Sequence, residues 1–287
     1  MKILCTGANG MLSEAIRKEF MGKHELIATD IFDMDVRDIY EVRRKIKETM
    51  PSAILHLAAE TDLEICERRP DHAYFTNTIG TQNIAIAALE EGAIPIVYMS
   101  TAGIFDGQQK EAYSEHDRAN PINHYGRSKY YGELALHYYP NKYILRMSWA
   151  MGGGPKLDKK FVNAIYQQVK RGKKQIYAVD DKLGSPTYTR DVAKTIKRFL
   201  ENRQPHGIYH VAGKGVTTRC EVAKAIVELM KSDAEVIAVQ SKVFDSKYFA
   251  PRATNEGMVS IMTPPSVSAM RGWRESLEDY LKEYYND

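Results

Sequence analysis

The feature that most constrains the fold is an alternation of short apolar runs and helix-length amphipathic stretches in the first half of the chain. The apolar runs, rich in β-branched residues, lie at 2–6, 26–29, 53–59, 94–100 and 142–148. Stretches such as SEAIRKEFM and IYEVRRKIKETM lie between them, with apolar residues at helical spacing. Strands buried on both faces read as continuous apolar runs, as in a parallel sheet covered by helices. The alternation therefore predicts an α/β fold with a doubly wound parallel sheet.

The pattern changes after Trp149. Three consecutive glycines and a proline at 152–155 predict a flexible loop, and the later apolar segments are shorter and more scattered. We therefore predict a second, smaller C-terminal lobe interleaved with the first. The predicted boundaries are 1–148 with 176–212 for the first domain, and 149–175 with 213–287 for the second.

Composition excludes several classes of function. No apolar run approaches the roughly 18 to 20 residues that span a bilayer, and the opening MKILCTG lacks the features of a signal peptide. We therefore expect a cytoplasmic protein without a membrane partner. The three cysteines form no Cys-x-x-Cys pair and the eight histidines lack ligand spacing, so we expect no metal site. A net charge of +3 gives little field for binding nucleic acid.

The stretch CTGANGMLSEA, residues 5–15, has the context of a phosphate-binding turn, because it follows an apolar strand and opens a helix. Gly7 suits the tight turn and Gly10 the close approach of a pyrophosphate, which the helix N-terminus also favours. Ser13 replaces the third glycine of the usual fingerprint, at a position that serves packing between helix and strand. The first domain is therefore predicted to bind a dinucleotide.

The next features concern which dinucleotide is bound. Asp30 closes the second apolar run, where a carboxylate would meet an adenosine ribose. A carboxylate there repels a 2′-phosphate and so favours NADH over NADPH, although Arg37 is close enough in sequence to keep NADPH open. The small residues of LAAET, 57–61, would let the cofactor lie across the carboxyl edge of the sheet.

Candidate catalytic groups lie in PINHYGRSKYYGE, 121–133. Tyr125 and Lys129 are four residues apart, so they project from the same face of a helix. A lysine beside a phenol stabilises the phenolate, so the sequence predicts a lowered pKa for Tyr125 and a role as proton donor. Thr101 ends the fourth apolar run, and its hydroxyl would bind a substrate carbonyl at the same sheet edge.

Together these residues resemble the extended short-chain dehydrogenase/reductase family, and within it the dTDP-4-dehydrorhamnose reductase group. The resemblance runs over nearly the whole chain through TGANGML, HLAAETDLEICE, STAGIFDG, HYGRSKYYGE, LRMSWAMGGG, DDKLGSPTYTRDVA and GIYHVAG, in that order. It implies a Rossmann-type lobe that binds NADH or NADPH and a small lobe that closes over a nucleotide-diphosphate sugar. The implied reaction is reduction of a nucleotide-linked 4-keto-6-deoxy sugar, with hydride passing to C4 and a proton coming from Tyr125.

The resemblance also implies roles for individual residues. Thr101, Tyr125 and Lys129 would be the catalytic triad. Cofactor contacts are expected at Gly7, Asn9, Gly10, Met11, Leu12, Asp30, Asp35, Val36, Leu57, Ala58, Ala59, Thr61, Asn77, Tyr125 and Lys129. Substrate contacts are expected at Thr61, Leu63, Thr101, Phe105, Trp149 and Arg252, with Arg252 on the diphosphate and Trp149 packed on the sugar. We also expect a homodimer.

Departures from the group keep other functions open. Ala102 and Gly103 stand where the group usually has an acid and a tyrosine on the substrate side, which leaves open a sugar other than that of the group. The same two residues cannot provide the Asp-Glu pair of a 4,6-dehydratase. A nucleotide-sugar 4-epimerase remains an alternative, as does a non-catalytic NAD(P)-binding regulatory subunit of the methionine adenosyltransferase beta type.

Overall fold

The computed structural model of the protein describes residues 1–246 and 248–285. The strands are β1 (Lys2–Thr6), β2 (Glu25–Thr29), β3 (Ala53–His56), β4 (Ile96–Thr101), β5 (Lys142–Met147), β6 (Ala150–Met151), β7 (Gln175–Val179), β8 (Leu183–Gly184), β9 (Thr187–Tyr188), β10 (Gly207–His210), β11 (Thr217–Thr218), β12 (Glu235–Val239) and β13 (Asn255–Glu256). The helices are α1 (Met11–Phe20), α2 (Ile39–Thr49), α3 (Leu63–Arg68), α4 (Pro70–Tyr74), α5 (Gly80–Glu90), α6 (His124–Ala135), α7 (Gly154–Leu157), α8 (Phe161–Lys170), α9 (Thr189–Glu201), α10 (Arg219–Leu229) and α11 (Trp273–Tyr285). A π-helical turn, Phe75–Ile79, joins α4 to α5, and 3-10 turns cover Ala102–Ile104 and Ser241–Phe244.

Six strands form the central sheet in the order β10-β5-β4-β3-β1-β2, and every neighbouring pair is parallel. The prediction of an α/β fold with a Rossmann-type parallel sheet is confirmed. The chain winds outward in opposite directions from β1 and β3, so the strand order reverses between them. In open α/β sheets, ligands bind beside the carboxyl ends of the strands at such a reversal.

Burial on both faces explains the continuous apolar runs. Every residue of β3 and of β4 is buried. Ile16 of α1 and Ile196 of α9 belong to the core on one face of the sheet, and Ile46 of α2 and Ile84 of α5 to the core on the other. Each helix thus places its apolar side on the sheet, as the helical spacing predicts.

The second lobe has a core of its own, built from α8, α10, α11 and the parallel pair β7–β12. The predicted first domain includes 176–212, and the structure divides that range. β10 joins the central sheet and α9 packs on α1, whereas Ile176 and Ala178 of β7 lie in the second core. β7 belongs to the second lobe because it pairs with β12 and buries its alternate side chains in that core. Residues 286 and 287 of the predicted second domain lie outside the described residues.

Helix α11 of the second lobe lies against α1 of the first. The Lys18 ammonium is 2.8 Å from a Glu283 carboxylate oxygen, and the Tyr284 hydroxyl donates a hydrogen bond to Glu14 at 2.6 Å. Arg190 of α9 pairs with both Glu283 and Glu19, at 2.7 Å each. Within the described ranges, no helix is both long enough and apolar enough to cross a bilayer.

Candidate active site

The carboxyl ends of β1, β3 and β4 meet at one edge of the sheet. Thr6 is in register with His56, and His56 with Tyr98, so the segments that follow these strands emerge side by side. The glycine turn follows β1, residues 57–61 follow β3, and Thr101 ends β4. The structure therefore brings the predicted cofactor turn and the predicted catalytic threonine to the same edge.

Gly7 and Ser13 form the core of the glycine turn. Gly7 has a φ of 69°, and a Cβ on it would lie 2.7 Å from the backbone nitrogen of Ala58, so glycine is required on both counts. Ser13 is buried, and its hydroxyl donates a hydrogen bond to the carbonyl oxygen of Gly7 at 2.7 Å. The serine that replaces the third glycine thus fastens the helix to the turn.

The start of α1 provides the anion-binding end of the turn. Gly10 precedes the helix, and the amides of Met11 and Leu12 lie in its first turn, where N–H groups have no acceptor within the helix. These amides and the helix dipole suit a pyrophosphate. A Cβ on Gly10 would meet only the carbonyl oxygen of Gly7, at 3.4 Å, so this glycine is less constrained than Gly7. The residues present fit a dinucleotide.

Asp30 lies beside the turn, just after β2. Its carboxylate accepts a hydrogen bond of 2.5 Å from the side-chain amide of Asn9 and one of 2.9 Å from the backbone N–H of Phe32. Arg37 instead pairs with Asp35, with Nη2 and Oδ2 2.6 Å apart, and this guanidinium lowers the pKa of the Asp35 carboxyl. The predicted contacts Asn9 and Asp30 are therefore hydrogen-bonded to each other. The negative charge of Asp35 is balanced by the positive charge of Arg37.

Two residues that the sequence predicts as cofactor contacts have other partners. The side chain of Asn77, buried in the π-helical turn, donates to the Glu60 carbonyl at 3.0 Å and to the Ser128 hydroxyl at 2.9 Å, and accepts from the Glu60 amide at 2.8 Å. Val36 is buried against Gly80. The prediction is corrected for Asn77: its polar atoms hold the loop after β3 in place.

Tyr125 and Lys129 lie one turn apart on α6. The helix is capped by Asn123, whose side-chain oxygen accepts a hydrogen bond from the Gly126 amide at 2.7 Å. This cap fixes where the helix begins and therefore which residues face the sheet edge. Lys129 is buried and Tyr125 is half-buried, so the phenol lies between the core and the cleft.

Gly103 lies between Thr101 and Tyr125. A Cβ on Gly103 would be 3.4 Å from Thr101 Oγ1 and 3.6 Å from Tyr125 Cδ1, and its amide donates to Thr101 Oγ1 at 3.0 Å. Gly126 packs on Gly103 so closely that a Cβ there would lie 2.0 Å from the Gly103 carbonyl oxygen. The two glycines let the start of α6 approach the end of β4 and bring the tyrosine to the threonine.

The pKa of Tyr125 differs from the sequence prediction, in which Lys129 lowers it. Burial raises the pKa of Tyr125 to about 12, and a hydrogen bond with Thr101 acts in the opposite direction. The Lys129 ammonium lies 4.1 Å from the ring centroid of Tyr98, and burial lowers the pKa of Lys129 to about 7 against the attraction of Glu133. Desolvation is the largest cause of the pKa shift of both Tyr125 and Lys129. Tyr125 is thus protonated at neutral pH, the form that a proton donor needs.

A buried ion pair, not singled out in the sequence, supports the catalytic helix. Arg146 of β5 and Glu133 of α6 are 2.7 Å apart between Nη2 and Oε2, and the Ser100 hydroxyl donates to the same carboxylate at 2.5 Å. The pair therefore fastens α6 to β4 and β5. The available signal was spacing, because Glu133 follows Lys129 by one helical turn.

On the substrate side, Trp149 is held from several directions. Its indole Nε1 donates to a carboxylate oxygen of Glu256 at 2.8 Å, and the guanidinium carbon of Arg219 lies 4.2 Å from the ring centroid. A Cβ on Gly184 would lie 2.2 Å from the ring, so the indole also packs directly on that glycine. These contacts fix the orientation of the ring.

Arg252, the predicted diphosphate ligand, lies near a second arginine. It pairs with Glu64 at 2.8 Å, and its guanidinium carbon is 5.2 Å from the ring centroid of Tyr248. Burial lowers the pKa of Arg219, the Glu256 carboxylate opposes this effect, and the charge of Arg252 adds to it. Two positive charges therefore share this side of the cleft.

Sequence reasoning missed Arg219, Glu256 and Lys160. Lys160 precedes α8 and lies within electrostatic reach of the other two. Arg219 begins α10 and Glu256 ends β13, so the three residues come from distant parts of the second lobe. None lies in a motif with mechanistic spacing, so the sequence alone offered no signal for grouping them.

The remaining predicted substrate residues occupy different environments. Phe105 is fully buried and stacks on Tyr113 with ring centroids 4.2 Å apart, so it does not line the cleft. The prediction is corrected because the 3-10 turn directs this ring into a small core that also contains Met258. The exposed Thr61 lies in the loop after β3, and the half-buried Leu63 is the first residue of α3.

Comparisons with known proteins identify a family model, related sequences and a solved structure that are similar to this chain. A sequence model of the RmlD substrate binding domain matches residues 1–286. The spore coat polysaccharide biosynthesis protein SpsK of Bacillus subtilis is 31% identical over 98% of this chain and 97% of its own length. The methionine adenosyltransferase 2 subunit beta of Danio rerio is 30% identical over 79% of this chain and 73% of its own. The crystal structure of dTDP-4-dehydrorhamnose reductase from Bacillus anthracis in complex with NADP superposes with a TM-score of 0.91, at 30% identity, covering 98% of this chain and 99% of that one.

Proposed function

The chain belongs to the family of the RmlD substrate binding domain, and from that membership we propose that it is an NAD(P)H-dependent reductase of a nucleotide-linked 4-keto-6-deoxy sugar. The observation that carries the proposal is the approach of Tyr125 to Thr101 across Gly103, with Lys129 one helical turn away. This arrangement lies at the sheet edge where the glycine turn emerges.

The chemistry divides between cofactor and protein. A reduced nicotinamide, when bound, supplies the hydride for the sugar C4. Tyr125 donates a proton to the oxygen that becomes an alkoxide, and its high pKa keeps that proton available at neutral pH. Thr101 hydrogen-bonds the same oxygen and orients it. Lys129 would hold the nicotinamide ribose and, as an ammonium, attract negative charge that develops on the phenol.

The opposite wall of the cleft supports a nucleotide-diphosphate substrate. The indole of Trp149, held in one orientation by Glu256, lies on this wall and would pack against the sugar. Arg219 and Arg252 offer positive charge for the diphosphate, since a guanidinium matches phosphate oxygens in pairs. The Glu64 partner of Arg252 would then compete with the ligand for that guanidinium.

The proposed cofactor is NADH or NADPH, with NADH slightly favoured. Asp30 beside Asn9 is placed to accept hydrogen bonds from ribose hydroxyls and to repel a 2′-phosphate. Arg37, which would suit that phosphate, already pairs with Asp35. The NADP in the Bacillus anthracis structure keeps NADPH in the proposal.

We also propose a homodimer, on the basis of exposed apolar side chains along α5 and α6. Leu89 is 56% exposed, Leu134 46% and Tyr131 44%. A second copy of the chain would cover them. Sedimentation equilibrium should find the wild type dimeric and Leu134→Glu monomeric. A monomeric wild type would refute the proposed dimer.

The test of the reductase proposal follows the oxidation of NADH and of NADPH with a panel of dTDP- and UDP-linked 4-keto sugars. We expect turnover with at least one sugar and a loss of roughly 100-fold or more in kcat for Tyr125→Phe. Tyr131→Phe on the same helix is the matched control and should keep wild-type activity.

Other outcomes separate the alternatives. Tight cofactor binding without turnover of any sugar would refute the reductase and favour a regulatory subunit. Inversion at C4 without net cofactor oxidation would favour an epimerase. A strong preference for NADPH would contradict the role given to Asp30.

A further inference from the structure

His56 is a buried histidine without a role in the proposed reaction. It ends β3 and is 1% exposed, and its ring stacks on Tyr98 with centroids 5.7 Å apart. Tyr98 in turn lies under the Lys129 ammonium and donates its hydroxyl proton to the Lys129 carbonyl at 3.0 Å. His56 is therefore one ring away from a proposed catalytic residue.

The Nδ1 side of the ring faces the cofactor turn. Nδ1 lies 2.9 Å from the hydroxyl oxygen of Thr6, which also accepts hydrogen bonds from the amides of Leu57 at 3.2 Å and Ala58 at 3.1 Å. Because the two amides use the lone pairs of the Thr6 oxygen, its single proton points to Nδ1. Nδ1 is thus an acceptor. Thr6 directly precedes Gly7, and Gly7 packs on the backbone of Ala58.

The Nε2 side connects to the catalytic helix through Thr81 and Asn77. Nε2 lies 3.1 Å from the hydroxyl oxygen of Thr81, whose own proton is donated to the Asn77 carbonyl at 2.7 Å. Thr81 can then only accept from the ring, so Nε2 carries the ring proton. The side-chain amide of Asn77 donates to Ser128 at 2.9 Å, and Ser128 donates to the carbonyl of Tyr125 at 2.8 Å.

These contacts define one direction of donation through the ring, from Thr6 through His56 to Thr81. A second proton on Nδ1 would confront the Thr6 proton, so the ring suits only the neutral form. Burial lowers the pKa of His56 to about 3, and the charge of Lys129 acts in the same direction. The ring therefore has a fixed charge and a fixed tautomer under physiological conditions.

We propose that His56 is a positioning residue which, as the neutral Nε2-protonated tautomer, sets the distance between the cofactor turn and the helix of Tyr125. Its ring separates two hydroxyls that anchor these two parts of the site. The kinetic readout of the inference rests on the proposed function, whereas the cofactor-affinity and spectroscopic readouts do not.

Two amide variants each keep one of the two hydrogen bonds that the His56 ring makes. In His56→Asn the side-chain oxygen can occupy the position of Nδ1 and accept from Thr6, but nothing reaches Thr81. In His56→Gln the terminal amide can occupy the position of Nε2 and donate to Thr81, but Thr6 loses its acceptor. We therefore expect His56→Gln to weaken cofactor binding by on the order of tenfold with a smaller change in kcat, and His56→Asn to do the reverse.

The variants are compared by cofactor fluorescence titration, by steady-state kinetics and by thermal unfolding, with the exposed His137→Gln as the control. A larger loss of cofactor affinity in His56→Gln, together with a larger loss of kcat in His56→Asn, supports a positioning role. Equal losses of affinity and kcat in both variants, following the loss of stability, would reduce His56 to a core residue and overturn the proposal.

A measurement on the wild-type protein avoids any failure of the variants to fold. Ring ¹⁵N chemical shifts of His56, assigned by their absence in a variant, should report an unprotonated Nδ1 and a protonated Nε2 that stay constant from about pH 5 to about pH 9. A ring that titrates in this range, or that carries its proton on Nδ1, would overturn the assignment. A wild-type protein without activity would refute the reductase. The positioning role would still stand if the ring shifts are as expected and His56→Gln binds the cofactor more weakly than His56→Asn.

Discussion

The two sides of the cleft are built on different principles. The cofactor side consists of backbone and small residues at strand ends, where Gly7 and Ala58 touch and Ser13 fastens the helix. The substrate side consists of long charged and aromatic side chains, such as Trp149 and Arg219, from scattered elements of the second lobe. The first is fixed by steric exclusion and the second by ion pairs and stacking. We therefore expect the cofactor side to fail abruptly on substitution and the substrate side to change by degrees.

The largest effect expected is that of Gly7→Ala. The new Cβ would lie 2.7 Å from the Ala58 nitrogen at a φ that disfavours alanine, so the turn must move. We expect cofactor affinity to fall by roughly 100-fold or more, together with a lower Tm. Gly272→Ala, outside the turn, is the control, because a Cβ there meets nothing within 4 Å, and it should keep wild-type affinity. Similar losses in both variants would break the steric account of this side.

Lys129→Met should separate activity from stability. Removing the ammonium should reduce kcat by about 100-fold, since in the proposed reaction Lys129 holds the nicotinamide ribose and attracts the negative charge that develops on the phenol. The pKa of Lys129 is about 7 in the folded protein, against roughly 10.4 in an unfolded chain. Between these values the unfolded chain binds the extra proton, so wild-type stability rises as pH rises from about 7 to about 10.

The methionine variant should lose that rise and be more stable than wild type near pH 7. Urea unfolding at several pH values measures both effects, with the exposed Lys23→Met as the control. A wild type whose stability is flat over this range would contradict the lowered pKa of Lys129.

On the substrate side, Arg219→Ala should raise the KM for the nucleotide sugar by about tenfold, because one guanidinium is lost while Arg252 remains. Cofactor affinity should not change. The control is Arg274→Ala, since Arg274 is an exposed arginine that pairs with Glu228 at the surface. A change in cofactor affinity as large as the change in KM would show that the two sides are not separable.

The smallest effect expected is that of Ser13→Ala, which removes the hydrogen bond to the Gly7 carbonyl. A loss of about 1 kcal/mol in the free energy of unfolding should follow, with little change in cofactor affinity. Ser13→Gly restores the usual fingerprint and should not bind the cofactor more tightly than wild type. Chemical denaturation and fluorescence titration measure the two quantities. Tighter binding by the glycine variant would mean that Ser13 obstructs the phosphate.

The same contrast explains what the sequence could predict. The parallel sheet follows from burial on both faces, and the turn at Gly7 from a constraint that is local in the chain. Tyr125 and Lys129 are one helical turn apart, so the sequence also predicted that they lie on the same face of a helix. Their pKa values were not, because desolvation depends on everything packed around them.

The parts that could not be predicted depend on contacts between distant segments. Arg219 and Glu256 meet at Trp149 only when the second lobe has folded, and no spacing links them. Phe105 was expected in the cleft from the family resemblance, but one 3-10 turn directs its ring into a separate core. Asn77 was expected to contact the cofactor, but its side chain is buried and its partners are Glu60 and Ser128.

The contact between α11 and α1 has a consequence for how the protein is made. Lys18 of the cofactor helix pairs with Glu283, which is synthesised 265 residues later. During translation, α1 therefore leaves the ribosome long before the helix that covers it. We expect the nascent chain to hold an incompletely packed nucleotide site through most of its synthesis and to acquire full cofactor affinity only when α11 has emerged.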